Sequence, residues 1–199
     1  MSAAWKGAAH AWTLDERIVH LADPLPPTRH LVALVLSEYS WRLIVGTMRD
    51  THDANWLIGQ ILLGDRITVR VLDAIADALA EQIFGHPRWV VERIWAETLG
   101  MWREVDAELG QRGVDLLALA PDRATNTAYG VLHRRHSHKP ETLRRWLADL
   151  EQKPARVLDS TAGDEAAAAD WFAAAAMLNG GAPPIIAAPA GVDSELQIT

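Results

Sequence analysis

Three histidines, His133, His136 and His138, come nearest in type and spacing to residues that could do chemistry. On a helix, positions 133 and 136 present two imidazoles at i and i+3, a spacing that suits a metal ion completed by a carboxylate. Arg134 and Arg135 lie between them, and two fixed positive charges oppose a cation there. The run therefore reads as the solvated basic end of a helix. The acid pairs Asp50/Asp53 and Asp159/Asp164 flank turns and read as caps. Arg112-Gly113-Val114-Asp115 is an adhesion tripeptide with one residue inserted, and a helix C-cap accounts for it. The sequence holds no H-E-x-x-H, no G-x-S-x-G and no Walker-type glycine loop. With no cysteine, a thiolate nucleophile, a zinc–thiolate site and a disulfide are excluded. No catalytic, cofactor-binding or metal-ligating residue is assigned, and the chain reads as a non-enzymatic protein without a cofactor.

The elements that would carry such residues are set by one stretch, 87–110. Trp89, Trp95, Leu99, Trp102 and Leu109 fall on one helical stripe, and Glu92, Arg93, Glu97, Arg103, Glu104 and Glu108 fill much of the rest. Pro87 opens it, and Gly113 is placed for the left-handed position beyond its end, with Val114 packing back on Leu109. The spacing predicts one continuous helix with three tryptophans in the core. Before it, Ile67–Val71 alternates like a strand, but no second alternating run is evident to pair with it. That run is read as the start of a helix over about 68–84, with Leu72, Ile75, Ala76, Leu79 and Ile83 inward.

The remaining elements follow in order. Residues 1–13 read as a flexible arm and 14–22 as a short helix. Asp23-Pro24-Leu25-Pro26-Pro27 breaks the chain, and Thr28 caps a helix running to about Val45. Asp53 caps a short helix through Leu62, ended by Gly64. Beyond Gly113, the leucines of 114–120 pack as a lid. Pro121 opens a helix with Ala124, Ala128, Val131 and Leu132 inward. Pro140 opens another, with Leu143, Trp146, Leu147 and Leu150 as its stripe and Glu141/Arg145 as an i,i+4 pair. The expected architecture is all-α, a compact multi-helix bundle over 14–152 with no sheet of three or more strands. A linker at 153–163, an Ala-rich helix at 164–178 and a disordered tail at 179–199 complete the domain plan.

The chain has 199 residues, nine Trp against two Phe and two Tyr, and a net charge of −7. An acidic chain without a long basic run is a poor match for a phosphate backbone, so nucleic acid is not expected as a partner. The apolar stretches fall short of the roughly 20 residues that span a bilayer, and the first residues lack a signal-peptide core, which points to a soluble intracellular protein. Trp5, Trp12, Trp171, Phe172 and Leu178 lie in weakly packing flanks. An alanine-faced helix at 164–178 is marginal in water without a partner, so residues 155–199 are expected to order on one. Those five residues are the expected partner-binding set.

Over residues 37–152 the chain resembles the tail assembly chaperones of long-tailed phages that infect actinobacteria. The resemblance rests on Ser40-Trp41-Arg42, on a helix ending at Gly85, and on Gly85-His86-Pro87-Arg88-Trp89 opening a long helix. It continues through Trp102, through Arg112-Gly113-Val114-Asp115-Leu116-Leu117-Ala118-Leu119 running into Pro121, and to a last helix around Trp146. These are packing and capping residues. The resemblance implies a non-enzymatic chaperone that binds the tape-measure protein and keeps it soluble before the tail tube polymerises around it. It further implies action in the host cytoplasm, absence from the mature virion, a homo-oligomer on the client, and in some members a frameshifted longer form. The alternative is a structural or connector component of a phage particle, or another oligomeric helical interaction module.

Overall fold

A computed structural model describes residues 7–8, 11–14, 17–63 and 67–157. The chain divides into two units, Met1–Pro154 and Ala155–Thr199, and the sheet and the helices named here belong to the first. Of the expected arm, linker and tail, the parts at 1–6, 9–10 and 158–199 lie outside the described residues.

The fold is mostly helical, as the patterning predicts, and it carries one small sheet that the patterning missed. Strands β1 (Gly7–Ala8), β2 (Ala11–Leu14) and β3 (Arg17–His20) form a three-stranded antiparallel meander. Trp12 pairs with Val19 and Leu14 with Arg17, leaving residues 15 and 16 between the strands. This corrects the arm at 11–13, the helix at 14–22 and the absence of a three-stranded sheet. The physical reason is period two: Trp12, Leu14, Val19 and Leu21 are buried while Ile18 faces out. The sheet is fastened to the helices by the amide of Ala22, which donates to the Thr47 carbonyl, and that of Arg49, which donates to His20, both at 2.9 Å.

The helices are α1 (Thr28–Val35), α2 (Ser40–Thr47), α3 (Thr51–Leu63), α4 (Val69–Phe84), α5 (Arg88–Gly100), α6 (Trp102–Gly110), α7 (Pro121–His136) and α8 (Pro140–Glu151). A 3₁₀ turn, Leu116–Ala118, joins α6 to α7. The single helix expected over 28–45 is two, broken at residues 36–39. Pro27, not Thr28, occupies the N-cap, and the Thr28 hydroxyl instead donates to the Leu119 carbonyl at 2.5 Å. Asp53 does not cap α3: that helix begins at Thr51, and Asp50 accepts the His52 amide at 2.7 Å. Ile67–Val71 does enter a helix, with the Thr68 hydroxyl accepting the Val71 amide.

The organising helix is also two, parted at Met101 just after Gly100, whose lack of a Cβ makes it a weak helix residue. The break rotates the stripe. Val91, Ile94, Trp95 and Thr98 of α5 and Val105 and Leu109 of α6 are buried, whereas Trp89 and Trp102 are half-buried and Leu99 is exposed. Gly113 takes positive φ as expected, and the Val114 amide reaches the Leu109 carbonyl at 3.0 Å. Ala124, Ala128, Val131 and Leu132 of α7 are fully buried, and α8 buries Trp146 and Leu150.

Three polar nodes hold the helices in register. Arg88, nearly buried at the start of α5, hydrogen-bonds Ser40 of α2 and Asp73 of α4 at 3.1 and 3.2 Å, and its Nε lies 2.8 Å from Glu92. Ser40 also donates to Asp73. Trp95 donates its indole N–H to Thr125 of α7 at 3.0 Å. On α8, the Trp146 indole donates to Glu97 at 2.7 Å, and one guanidinium nitrogen of Arg93 caps the helix end through the carbonyls of Asp149, Leu150 and Gln152. The expected Glu141–Arg145 pair is not formed; both side chains are solvated.

Candidate interaction surface

Helix α3 reads THDANWLIGQILL. Its first half is polar and clasped to the sheet. Arg17 of β3 donates to Asp53 through Nε at 3.0 Å and Nη2 at 2.6 Å, and its guanidinium lies 4.7 Å from the centre of the Trp56 ring. Ala54 and Leu57 point into the core. The second half is different. From Trp56 to Leu63, six of eight residues are large and apolar, with no polar face to turn outward. Only Leu57 among them is buried; Leu62 is 81% exposed and Leu63 72%.

Val69, at the start of α4 on the other side of residues 64–66, is 73% exposed. The Ser40–Asp73 hydrogen bond sets the start of α2 beside the first turns of α4. There Tyr39 is 52% exposed, and Arg42 places its guanidinium 5.6 Å from the Tyr39 ring and 5.7 Å from that of Trp41. Scattered single apolar residues on a surface need no explanation, but two consecutive leucines left exposed at the end of one apolar helical run are not scatter of that kind. Fully covering each such side chain would contribute about 1.5–3 kcal/mol.

Of the five residues expected from sequence to bind a partner, Trp12 falls among the described residues. Trp12 is 1% exposed, packed between sheet and helices because its strand faces it inward, so it is core. Trp5, Trp171, Phe172 and Leu178 lie outside the described residues. Sequence reasoning missed the α3 surface because caps alone do not reveal it. The available signal was the run 56–63 itself, too uniformly apolar for a helix with a solvated side.

Two of the three histidines, His133 and His136, make ring contacts. Nε2 of His136 sits 2.7 Å from Glu97 Oε1, and its ring stacks on Trp146 at 4.9 Å. His133 turns toward Tyr129, with ring centres 5.8 Å apart, and His138 is exposed. Among the described residues no group of three His, Asp or Glu is arranged to hold a metal ion. A cleft of about 560 Å³ lies between residues 21–25, the end of α4 and the start of α7. Leu21, Leu25, Ile83 and Pro121 give it apolar walls, and Asp23 and Asp122 are its carboxylates. Its lining residues contain no nucleophile paired with a base.

Glu108 of α6 ties that helix to α7. It accepts from Arg134 of α7 at 2.7 Å and from Arg112 at 3.2 Å. The Arg134 hydrogen bond, aided by the charges of Arg134, Arg112 and Arg135, holds its carboxyl below the ordinary carboxylate range.

No protein-family model matches the chain, and no curated protein or solved structure matches it. Among the described residues no helix is long and apolar enough to cross a membrane.

Proposed function

We propose that this protein is a holdase for an apolar helical client, and specifically a tail assembly chaperone that binds a tape-measure protein and keeps it soluble before tail-tube assembly. The observation that carries this reading is the uncovered apolar end of α3, with Val69 exposed at the start of α4. A helix with large apolar residues at positions 58, 61, 62 and 63 offers the i, i+3, i+4 contacts by which one helix packs on another. A client built of long apolar helix faces is the partner that such a surface fits, and a net charge of −7 helps keep the resulting complex dispersed. The resemblance over 37–152 supplies the client's identity, the action in the host cytoplasm and the assembly of several copies on one client. The catalytic and cofactor roles remain unassigned in this reading.

The test is co-expression with the long helical tape-measure protein encoded in the same genome. Soluble client that co-purifies with the chain, and insoluble client without it, is the expected result. A client equally soluble alone overturns the reading. So does stoichiometric recovery of the chain in purified particles, which favours a structural component.

A further inference from the structure

The charge of this chain is segregated. All 19 Lys and Arg precede residue 158, whereas Asp159, Asp164, Glu165, Asp170, Asp193 and Glu195 follow it. Residues 1–157 therefore carry 20 acids against 19 cations, and almost the whole net charge of −7 belongs to a stretch with no cation. Within the near-neutral part, five cations fall between 134 and 145, where α7 ends and α8 begins: Arg134, Arg135, Lys139, Arg144 and Arg145.

Several cations elsewhere in the helical unit are engaged. Arg17 has Asp53, Arg88 has Asp73 and Glu92, Arg112 has Glu108, and Arg93 caps α8. At the α7–α8 corner, among the described residues, Arg134 is paired, to Glu108. Arg135, Lys139, Arg144 and Arg145 are all exposed and make no ion pair among the described residues, even though Glu141 lies between them in sequence. The link between the two helices is three residues long, so these four cations sit within about two helical turns of one another. Three of them are arginine, whose planar fork matches a carboxylate in two bonds at once.

We propose that this corner is an interface for a second copy of the chain, whose acidic residues 159–170 dock on it. Charge complementarity selects the occupant: four carboxylates at 159, 164, 165 and 170 without a cation face four unpaired cations. A phosphate polyanion is disfavoured, because it would meet the field of a protein at −7 on approach. The contact is heterologous, basic corner of one copy to acidic segment of the next, so it propagates into chains or closes into a ring. It is independent of the client surface on α3.

Sedimentation velocity of the full-length protein at 50 and 500 mM NaCl tests this. Self-association at low salt that weakens at least tenfold at high salt is expected. The variant R135E/K139E/R144E/R145E and the variant D159K/D164K/E165K/D170K should each be monomeric, each with an unchanged far-UV circular dichroism spectrum. Mixing the two should restore association, because the wild-type corner of one variant meets the wild-type segment of the other and the reversed corner meets the reversed segment. A wild-type protein that is monomeric at 50 mM NaCl overturns the proposal, as does association that survives corner reversal. Corner-dependent retention of a monomer on duplex DNA also overturns it, in favour of a polyanion site.

Discussion

Trp95 shows how much one side chain fixes here. It is fully buried, and its indole N–H finds Thr125 on the facing helix. Truncation removes a large apolar volume and leaves the Thr125 hydroxyl to its own helix, where it already donates to Pro121. Trp95→Ala is expected to cost about 3–5 kcal/mol in chemical denaturation. Trp102, on the same sequence stripe, is only half-buried beyond the break, and Trp102→Ala should cost less than half as much. Equal losses would mean that α5 and α6 are continuous in solution. Glu108 supplies a second residue-scale test. Its lowered carboxyl is charged in the fold at pH values where the unfolded chain begins to bind a proton. Its contribution is thus present above the ordinary carboxylate range of about 4.3 and is lost as pH falls through the lower folded value. In an NMR titration, Arg134→Ala should raise the Glu108 pKa toward the ordinary value. An unmoved titration would remove Arg134 as the cause.

At the scale of elements, the break at Met101 makes its own prediction. Gly100 has helical backbone, and a Cβ there would meet nothing within 4 Å. Gly100→Ala should stabilise the protein by about 0.4–1 kcal/mol, read as a rise in the thermal midpoint. A destabilisation would show that the end of α5 needs a backbone freedom alanine lacks. The elements legible in sequence were those with a recognisable stripe and a Pro or Gly at one end. α4 ends at Gly85 in the left-handed conformation, α7 and α8 each begin at a proline, and the inward residues of α4 and α7 are buried as spaced, while on α8 Trp146 and Leu150 are buried and Leu143 and Leu147 half-buried. What failed had weaker punctuation. The meander's strands are four residues or fewer, and their apolar alternation over Trp12, Leu14, Val19 and Leu21 was hidden by the small residues before it. The α1–α2 break at 36–39 contains no proline or glycine, and α5–α6 offered only a lone glycine inside an otherwise periodic run. The interaction surface was illegible for another reason: whether Leu62 and Leu63 are covered depends on where the chain leaves α3, which periodicity does not encode.

For the whole molecule, two places among the described residues of the helical unit stand out as uncovered. Its core is continuous from the sheet through α8. Its polar nodes at Arg88, Trp95 and Glu97 each join two or three helices. The two places are opposite in character, apolar at the end of α3 and basic at the α7–α8 corner. The apolar one is the surface that the proposed client binding would use. The most direct test of that proposal is quantitative co-purification of the proposed tape-measure client with wild-type protein and with the variant L62S/L63S/V69S. These three side chains are exposed, so the variant should keep the wild-type thermal midpoint within a few degrees. The folded variant is expected to lose at least nine-tenths of the soluble client, roughly the effect of about 1.4 kcal/mol or more of lost contact. A folded variant that retains the client at the wild-type level would contradict the claim.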